Sequence, residues 1–396
     1  MNHSQIYPMG VALLYSAYCL QDLYLPANSF FAKIMIFTLL VIGLYSLILT
    51  KWKESTTVVK FWKLFFLVNL IYYIISPKEV VGVKYEAIGR ISTMIQFKDI
   101  CIFLLTFFSM YRYSCRNLVT HRMIANLGLL FFVVSVLKFF IMKDAKAEET
   151  GFEDNTNNAA YLLVMIIPYL PFIWKEFKPL FMIIVPSIIF LVIMGAKRGA
   201  ILCMFFSVFI GLFFYLRSYK VKPVHIAFLG FLIVLLAFIV FLSYDSSEYL
   251  QARMNRMDSG NDASGDIRKF AYALLFNHWL NNSSFFEMIF GNGTTQTVTI
   301  WGNFAHNDWL ELLIDNGILG VVIYAILLYS LFKYSRKCTN IISGLSIRLV
   351  WAIWFPMTLF SMGYTSYEGY AMTFLLGILF GNETKFKILQ KEQIRL

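Results

Sequence analysis

Charge is scarce in this sequence. Only 14% of its 396 residues are Asp, Glu, Lys or Arg, and 59% are apolar, whereas a soluble domain carries about 25% charged residues. That shortage excludes a chain of ordinary water-soluble domains. Apolar runs of about 17–25 residues recur from end to end instead, the length that crosses a bilayer as a helix. Recognisable chemistry is sparse too. Cys19, Cys101, Cys115, Cys203 and Cys338 form no C-x-x-C or Cys/His spacing, and none falls in residues 244–308; this excludes a zinc site or disulfide framework. There is no P-loop, dinucleotide fingerprint or G-x-S-x-G elbow. Asp258, Asp262 and Asp266 lack EF-hand spacing, so neither a metal nor a cofactor is expected. Internal repeats and low-complexity tracts are also missing.

What is present fits an all-α polytopic membrane protein of about twelve transmembrane helices with one large periplasmic loop containing short helices. Apolar runs cover residues 6–22, 29–50, 60–76, 95–111, 123–142, 159–174, 179–196, 199–216, 224–243, 309–332, 347–363 and 369–381. They are continuously apolar, whereas barrel strands alternate over about ten residues. The first run lacks a basic leader and a small-residue cleavage site, so it is expected to be kept as a span. Three regions follow: 1–243 with nine spans, the loop 244–308, and 309–396 with three spans and a cytoplasmic tail.

Charge sets the orientation. With the N-terminus inside, alternation gives inside loops carrying Lys51, Lys53, Lys60 and Lys63, then Arg112, Arg116 and Arg122, then Lys175 and Lys178, then Arg217, Lys220 and Lys222, then Lys333, Arg336, Lys337 and Arg348, with Lys385, Lys387, Lys391 and Arg395 in the tail. The outer loop 143–158 is acidic, with Asp144, Glu148, Glu149, Glu153 and Asp154. This is the positive-inside pattern. It explains the net charge of +11 without nucleic acid as a partner.

Residues 244–308 stand apart as a polar outer segment. A loop that long is usually functional. Within it, Ile267–Leu280 reads as an amphipathic helix with Phe270, Leu274 and Leu275 on one side, lying at the membrane interface. Cations outside the inside loops are the first chemical clue. Lys197 and Arg198 sit at an outer helix end in Gly195-Ala196-Lys197-Arg198-Gly199-Ala200; charge at membrane depth is costly and marks a site, although a snorkelling helix end has the same pattern. The loop adds Arg253, Arg256, Arg268 and Lys269. Arginine's planar fork grips phosphate oxygens, which suits a lipid-linked pyrophosphate; ion pairs with Asp258, Asp262 or Asp266 are the plainer reading. His306 lies where the loop meets the tenth run and titrates in the range a general base needs. Asp308 or Glu311 is placed to orient its ring.

His306-Asn307, nine residues, Gly317, two residues, Gly320 resembles the signature of the O-antigen ligase and polymerase superfamily, the WaaL-type and Wzy-type membrane enzymes. Ile289-Phe290-Gly291-Asn292-Gly293 is similar to the glycine segment that precedes that histidine. Gly265-Asp266-Ile267-Arg268 and Gly195–Ala200 are similar to the family's two arginine segments, and Asn157-Asn158-Ala159-Ala160 fits as well. Lys197 stands where serine is common, and Phe270 or Tyr272 near the usual tryptophan. The resemblance covers residues 150–330.

The resemblance implies a metal-independent inverting glycosyltransferase of the inner membrane with its active site facing the periplasm. Its donor and acceptor would be undecaprenyl-pyrophosphate-linked glycans. Arg198 and Arg268 would be catalytic beside His306, the base. Lys197, Arg253, Arg256, Lys269 and Asn307 would bind pyrophosphate or glycan, and a chain-length regulator is a possible protein partner. An O-antigen or other surface-polysaccharide polymerase is expected, on the greater number and divergence of such enzymes. A ligase acting on lipid A–core shares every motif. A transporter of lipid-linked oligosaccharide is the non-enzyme alternative, disfavoured by the lack of matching halves.

Overall fold

A computed structural model describes residues 3–21, 29–52, 55–77, 79–81, 90–150, 157–218, 230 and 263–395. It opens with α1 (His3–Gln21), α2 (Phe30–Leu49) and α3 (Thr57–Ile75). Side-chain caps start two of these. Ser29 Oγ accepts from the Ala32 N–H and Thr56 Oγ1 from the Val59 N–H, satisfying donors that a helix start leaves open. A short antiparallel ribbon follows, β1 (Glu79–Val81) against β2 (Arg90–Ser92), a small departure from the all-α expectation. Then come α4 (Thr93–Arg116), α5 (His121–Thr150), α6 (Ala160–Val164), α7 (Leu170–Glu176), α8 (Lys178–Met194) and α9 (Arg198–Ser218).

After the undescribed segment the chain continues with α10 (Ala263–Asn281), α11 (Phe285–Phe290), α12 (Gln296–Trp301) and α13 (Asp308–Asp315). It closes with α14 (Gly317–Ser335), α15 (Ile341–Phe360) and α16 (Tyr370–Arg395). Six helices among the described residues are long and apolar enough to cross a membrane: α2, α3, α4, the His121–Lys143 part of α5, α14 and α15. Two shorter apolar helices, Lys178–Met194 and Arg198–Phe214, accompany them. Residues 224–243, read as the ninth span, lie outside the described residues except for residue 230.

α4 is the hub. Most of its apolar stretch is buried, and α16 runs along it through Gly377 and Gly381. A Cβ on Gly377 would come 2.4 Å from the Phe107 carbonyl oxygen, and one on Gly381 2.6 Å from that of Tyr111. Two glycines four apart thus bring the helix backbones together, the small-residue packing membrane helices favour. Around them Trp62 stacks on Phe107 with ring centroids 4.4 Å apart and meets Trp354 edge-on at 5.4 Å; the Trp62 Nε1–H donates to the Leu104 carbonyl. Phe37, Ile48 and Phe209 instead point outward, each well over half exposed, the apolar face a bilayer requires.

Three runs differ from the sequence expectation. The run 159–174 is broken into α6, a 3₁₀ turn at Ile167–Tyr169 and α7, because Pro168 has no N–H for the helix ladder. The run from 309 is not one span: α13 ends at Asn316 and α14 starts at Gly317 with φ +65°. The polar turn holds three buried carboxylates, Asp308, Glu311 and Asp315, that need protein partners rather than lipid. The last helix runs on to Arg395, well past 381. The helix expected over Ile267–Leu280 is present as α10, but of the three residues grouped on its apolar side Leu275 is buried and Phe270 exposed.

Candidate functional site

His306 lies between α12 and α13, in a left-handed conformation with φ 53°. A residue with a Cβ held there is strained and must be fixed by its neighbours. The fixing is visible on both sides. Glu311 Oε1 accepts from the Ala305 N–H at 2.6 Å. Asn307 caps α13, its Oδ1 accepting from the Trp309 and Leu310 N–H groups, while its Nδ2 donates to the Leu359 carbonyl on α15.

The next residue ties this loop to the far side of the protein. Asp308 Oδ2 accepts from the Tyr324 hydroxyl at 2.7 Å and Oδ1 from the Gly363 N–H at 2.9 Å. Tyr324 Oη in turn accepts from Trp354 Nε1–H at 2.8 Å. Burial pushes the Asp308 carboxyl up to about 7, against the pull of these donors. One turn further, Asp315 Oδ2 accepts from the Thr295 N–H, and Oδ1 from the Thr297 N–H and hydroxyl. Burial likewise lifts Asp315 to about 7 and Glu311 well above the usual carboxylate range. Asp308 and Glu311, expected to orient the imidazole, make no hydrogen bond to it among the described residues: Asp308 serves Tyr324 and the Gly363 N–H, and Glu311 Oε1 the Ala305 N–H. Sequence spacing put them near the ring but could not say which donor each would choose.

The α8–α9 turn supplies the second part. Asn157 pins it: its N–H donates to the Gly195 carbonyl and its Nδ2 to the Phe139 carbonyl, while Oδ1 accepts from the Ala159 N–H. Ala196, with φ 45°, then reverses the chain and delivers Lys197 just ahead of α9. Lys197 and His306 line one polar cavity of about 260 Å³, together with Asn158, Tyr161, Asp99, Thr365 and Glu368.

Electrostatics joins α10 to them. The His306 imidazole is pushed down to about 4, first by burial and then by the Arg268 guanidinium and the Lys197 ammonium. Both forces penalise the charged ring. At neutral pH His306 is therefore uncharged, and among the described residues its ring has no hydrogen bond.

The residues singled out in the sequence thus fall into three groups. His306, Arg268 and Lys197 come together. Arg198 opens α9 directly after Lys197, half-buried, and Lys269 is exposed on α10; Asn307, Asp308 and Glu311 serve the loop itself. Arg253 and Arg256 lie outside the described residues. Among the described residues no group of three or more His, Cys, Asp or Glu side chains is arranged to hold a metal ion.

Sequence reading passed over Asp99, Glu368, Thr365 and Lys138. Lys138 is the clearest omission. It is the one charge inside the run 123–142, is 1% exposed, and pairs with Glu368 at 3.9 Å; a charge at that depth is itself the signal. The polar stretch Ser361–Glu368 between two apolar runs was the other.

These features define a multi-pass membrane protein with a cavity lined by a neutral imidazole and a lysine, the ring also feeling the charge of Arg268. The family described as O-antigen ligase matches residues 180–325, from α8 into α14. The match supports a glycan-transfer role of the ligase or polymerase type. No curated protein matches the chain.

Proposed function

We propose that this protein is a surface-polysaccharide polymerase: an inverting glycosyltransferase that moves an undecaprenyl-pyrophosphate-linked glycan onto a lipid-linked repeat unit. It works at the periplasmic face of the inner membrane, and the twelve-span topology with both termini inside belongs to this reading. The observation that carries it is the His306 imidazole, which lines one cavity with Lys197 and is kept neutral by burial and by the charges of Arg268 and Lys197. A ring kept unprotonated can take a proton; cations kept next to it can hold a pyrophosphate.

The acceptor hydroxyl oxygen attacks the anomeric carbon from the face opposite the pyrophosphate. Its proton passes to His306, the C1–O bond to phosphate breaks, and undecaprenyl pyrophosphate leaves with the electron pair. Arg268 and Lys197, with Arg198, Lys269, Arg253 and Arg256 as further donor contacts, offset the charge that grows on the leaving group. One displacement inverts C1. Holding both lipids in one cleft supplies proximity. No metal or cofactor enters this scheme, and a chain-length regulator is the protein partner it would take.

A His306→Ala variant tests the reading in a strain that depends on this gene for its surface glycan. Loss of long chains with single-repeat-capped core retained supports the polymerase. Loss of every capped form makes the protein a ligase acting on lipid A–core. Unchanged glycan removes His306 from catalysis and reopens the transporter.

A further inference from the structure

The cavity is lined by groups of both charges: Lys197 and His306, and also Asp99 and Glu368. The acidic residues come from distant parts of the chain, Asp99 from α4 and Glu368 from the turn before α16. Each is anchored by a lysine: Lys98 Nζ lies 3.1 Å from Asp99 Oδ1, and Lys138 Nζ 3.9 Å from Glu368 Oε1. Both carboxylates keep some exposure, 19% and 16%. The same lining includes Thr365, 3% exposed, whose Oγ1 has no hydrogen-bond partner among the described residues. A buried hydroxyl without a partner costs stability, and one that lines a cavity is placed to serve what enters it.

A pyrophosphate does not belong against two carboxylates. A sugar does, because its hydroxyls are donors and ionised carboxylates are acceptors only, and charge-assisted hydrogen bonds are the stronger kind. The volume, about 260 Å³, has room for a monosaccharide unit.

We propose that Asp99, Thr365 and Glu368 form the acceptor subsite, gripping the hydroxyls of the one neutral or amino sugar whose free hydroxyl faces His306. This rests on the glycan-transfer reading above and adds to it a substrate class: a uronic acid is excluded at that position, since its carboxylate would meet two others.

The test uses the full chain in lipid nanodiscs and saturation-transfer NMR with methyl glycosides of glucose, galactose, mannose, N-acetylglucosamine and glucuronic acid. At least one uncharged glycoside is expected to take saturation and the glucuronide none. Glu368→Gln should abolish the signal. Because Glu368 pairs with the buried Lys138 and the change can impair folding, Thr365→Val carries the same test. It removes a hydroxyl with no internal partner, so thermal unfolding should stay at the wild-type temperature or above while glycoside affinity falls at least five-fold.

Saturation by no uncharged glycoside, equal saturation of the glucuronide, or wild-type affinity in Thr365→Val overturns the subsite. The readout is binding, not transfer. A His306→Ala strain with unchanged glycan would therefore defeat the catalytic reading while leaving this result to stand or fall separately.

Discussion

Gly291 and Gly317 lie backbone against backbone. A Cβ on Gly317 would come 2.4 Å from the Ile289 carbonyl oxygen and 2.5 Å from the Gly291 nitrogen; one on Gly291 would come 2.3 Å from the Asp315 carbonyl oxygen. Both have positive φ, +65° and +78°. The Asn292 and Gly293 N–H groups donate across the same seam to the Ile314 and Asp315 carbonyls. Two glycine motifs that read separately along the chain are the two sides of one contact, and that contact sets how far His306 stands from the start of α14.

Gly317→Ala should therefore be severe. The left-handed conformation alone costs about 1–2 kcal/mol for a residue with a Cβ, and the clash with backbone cannot be relieved by a rotamer change. The expected outcome is a fall in thermal unfolding temperature in detergent together with loss of long-chain glycan. Gly291→Ala should behave the same way, and wild-type stability in either would contradict the contact.

The pH dependence follows from the His306 environment. Its folded-state value is about 4 against an ordinary 6.5 or so. As pH falls from about 6.5 toward 4, the unfolded chain takes up a proton that the folded site refuses, so this group removes stability on acidification. Asp308 and Asp315 have the opposite sign. Lifted to about 7, they favour the folded state at low pH and lose that contribution as pH rises from the ordinary carboxylate range through 7. For activity, kcat/KM should keep its base down to about pH 4, while a donor pyrophosphate bound between the cations raises the ring's affinity for a proton. The acid limb of kcat should then lie at higher pH than that of kcat/KM. Lys197→Met should shift the kcat/KM limb upward; a limb that stays put would show that Lys197 does not act on the ring.

Much of the framework could be read directly. Continuous apolar runs are a local property, and length alone makes them helices in lipid. The break at Asn316–Gly317 was less accessible, since residues 309–332 stay apolar enough to pass as one span. Its cause is three carboxylates whose partners, Tyr324, Gly363, Ala305, Thr295 and Thr297, come from elsewhere in the chain. The site was legible in its cations, because charge beside apolar runs stands out. Its acidic side was not. Asp99 sits beside Lys98 near a helix start and looks like a surface pair, and Glu368 gains meaning only through Lys138, far away in sequence.

Glu311 separates a positioning role from a catalytic one. Its Oε1 holds the Ala305 N–H and so the strained backbone at His306. Glu311→Gln keeps an acceptor oxygen at that point and, given the raised carboxyl, loses little; kcat should stay within a few-fold of wild type. Glu311→Ala leaves a buried N–H unpaired, worth about 1–3 kcal/mol, and frees His306 from its geometry. A drop in kcat of ten-fold or more with KM little changed is expected. Equal losses in both variants would mean that the carboxylate itself takes part in the chemistry.

Tyr324 offers the last test, because its hydroxyl is a relay with nothing to spare. It donates to Asp308 and accepts from Trp354, and all three side chains are essentially buried. Tyr324→Phe keeps the ring that packs on Phe65 at 5.1 Å and removes only the oxygen. The Trp354 N–H then has no acceptor and Asp308 Oδ2 loses its hydroxyl donor, so stability should fall by about 1–3 kcal/mol. Asp308 would keep Gly363, its link to the turn that carries Thr365 and Glu368, but lose its tie to α14, so the carboxylate that holds that link is less firmly fixed. If that link matters to the reaction, Tyr324→Phe lowers kcat and raises the acceptor KM together, at a temperature where the variant is still fully folded. A variant that is less stable but kinetically normal would confine the relay to holding the fold.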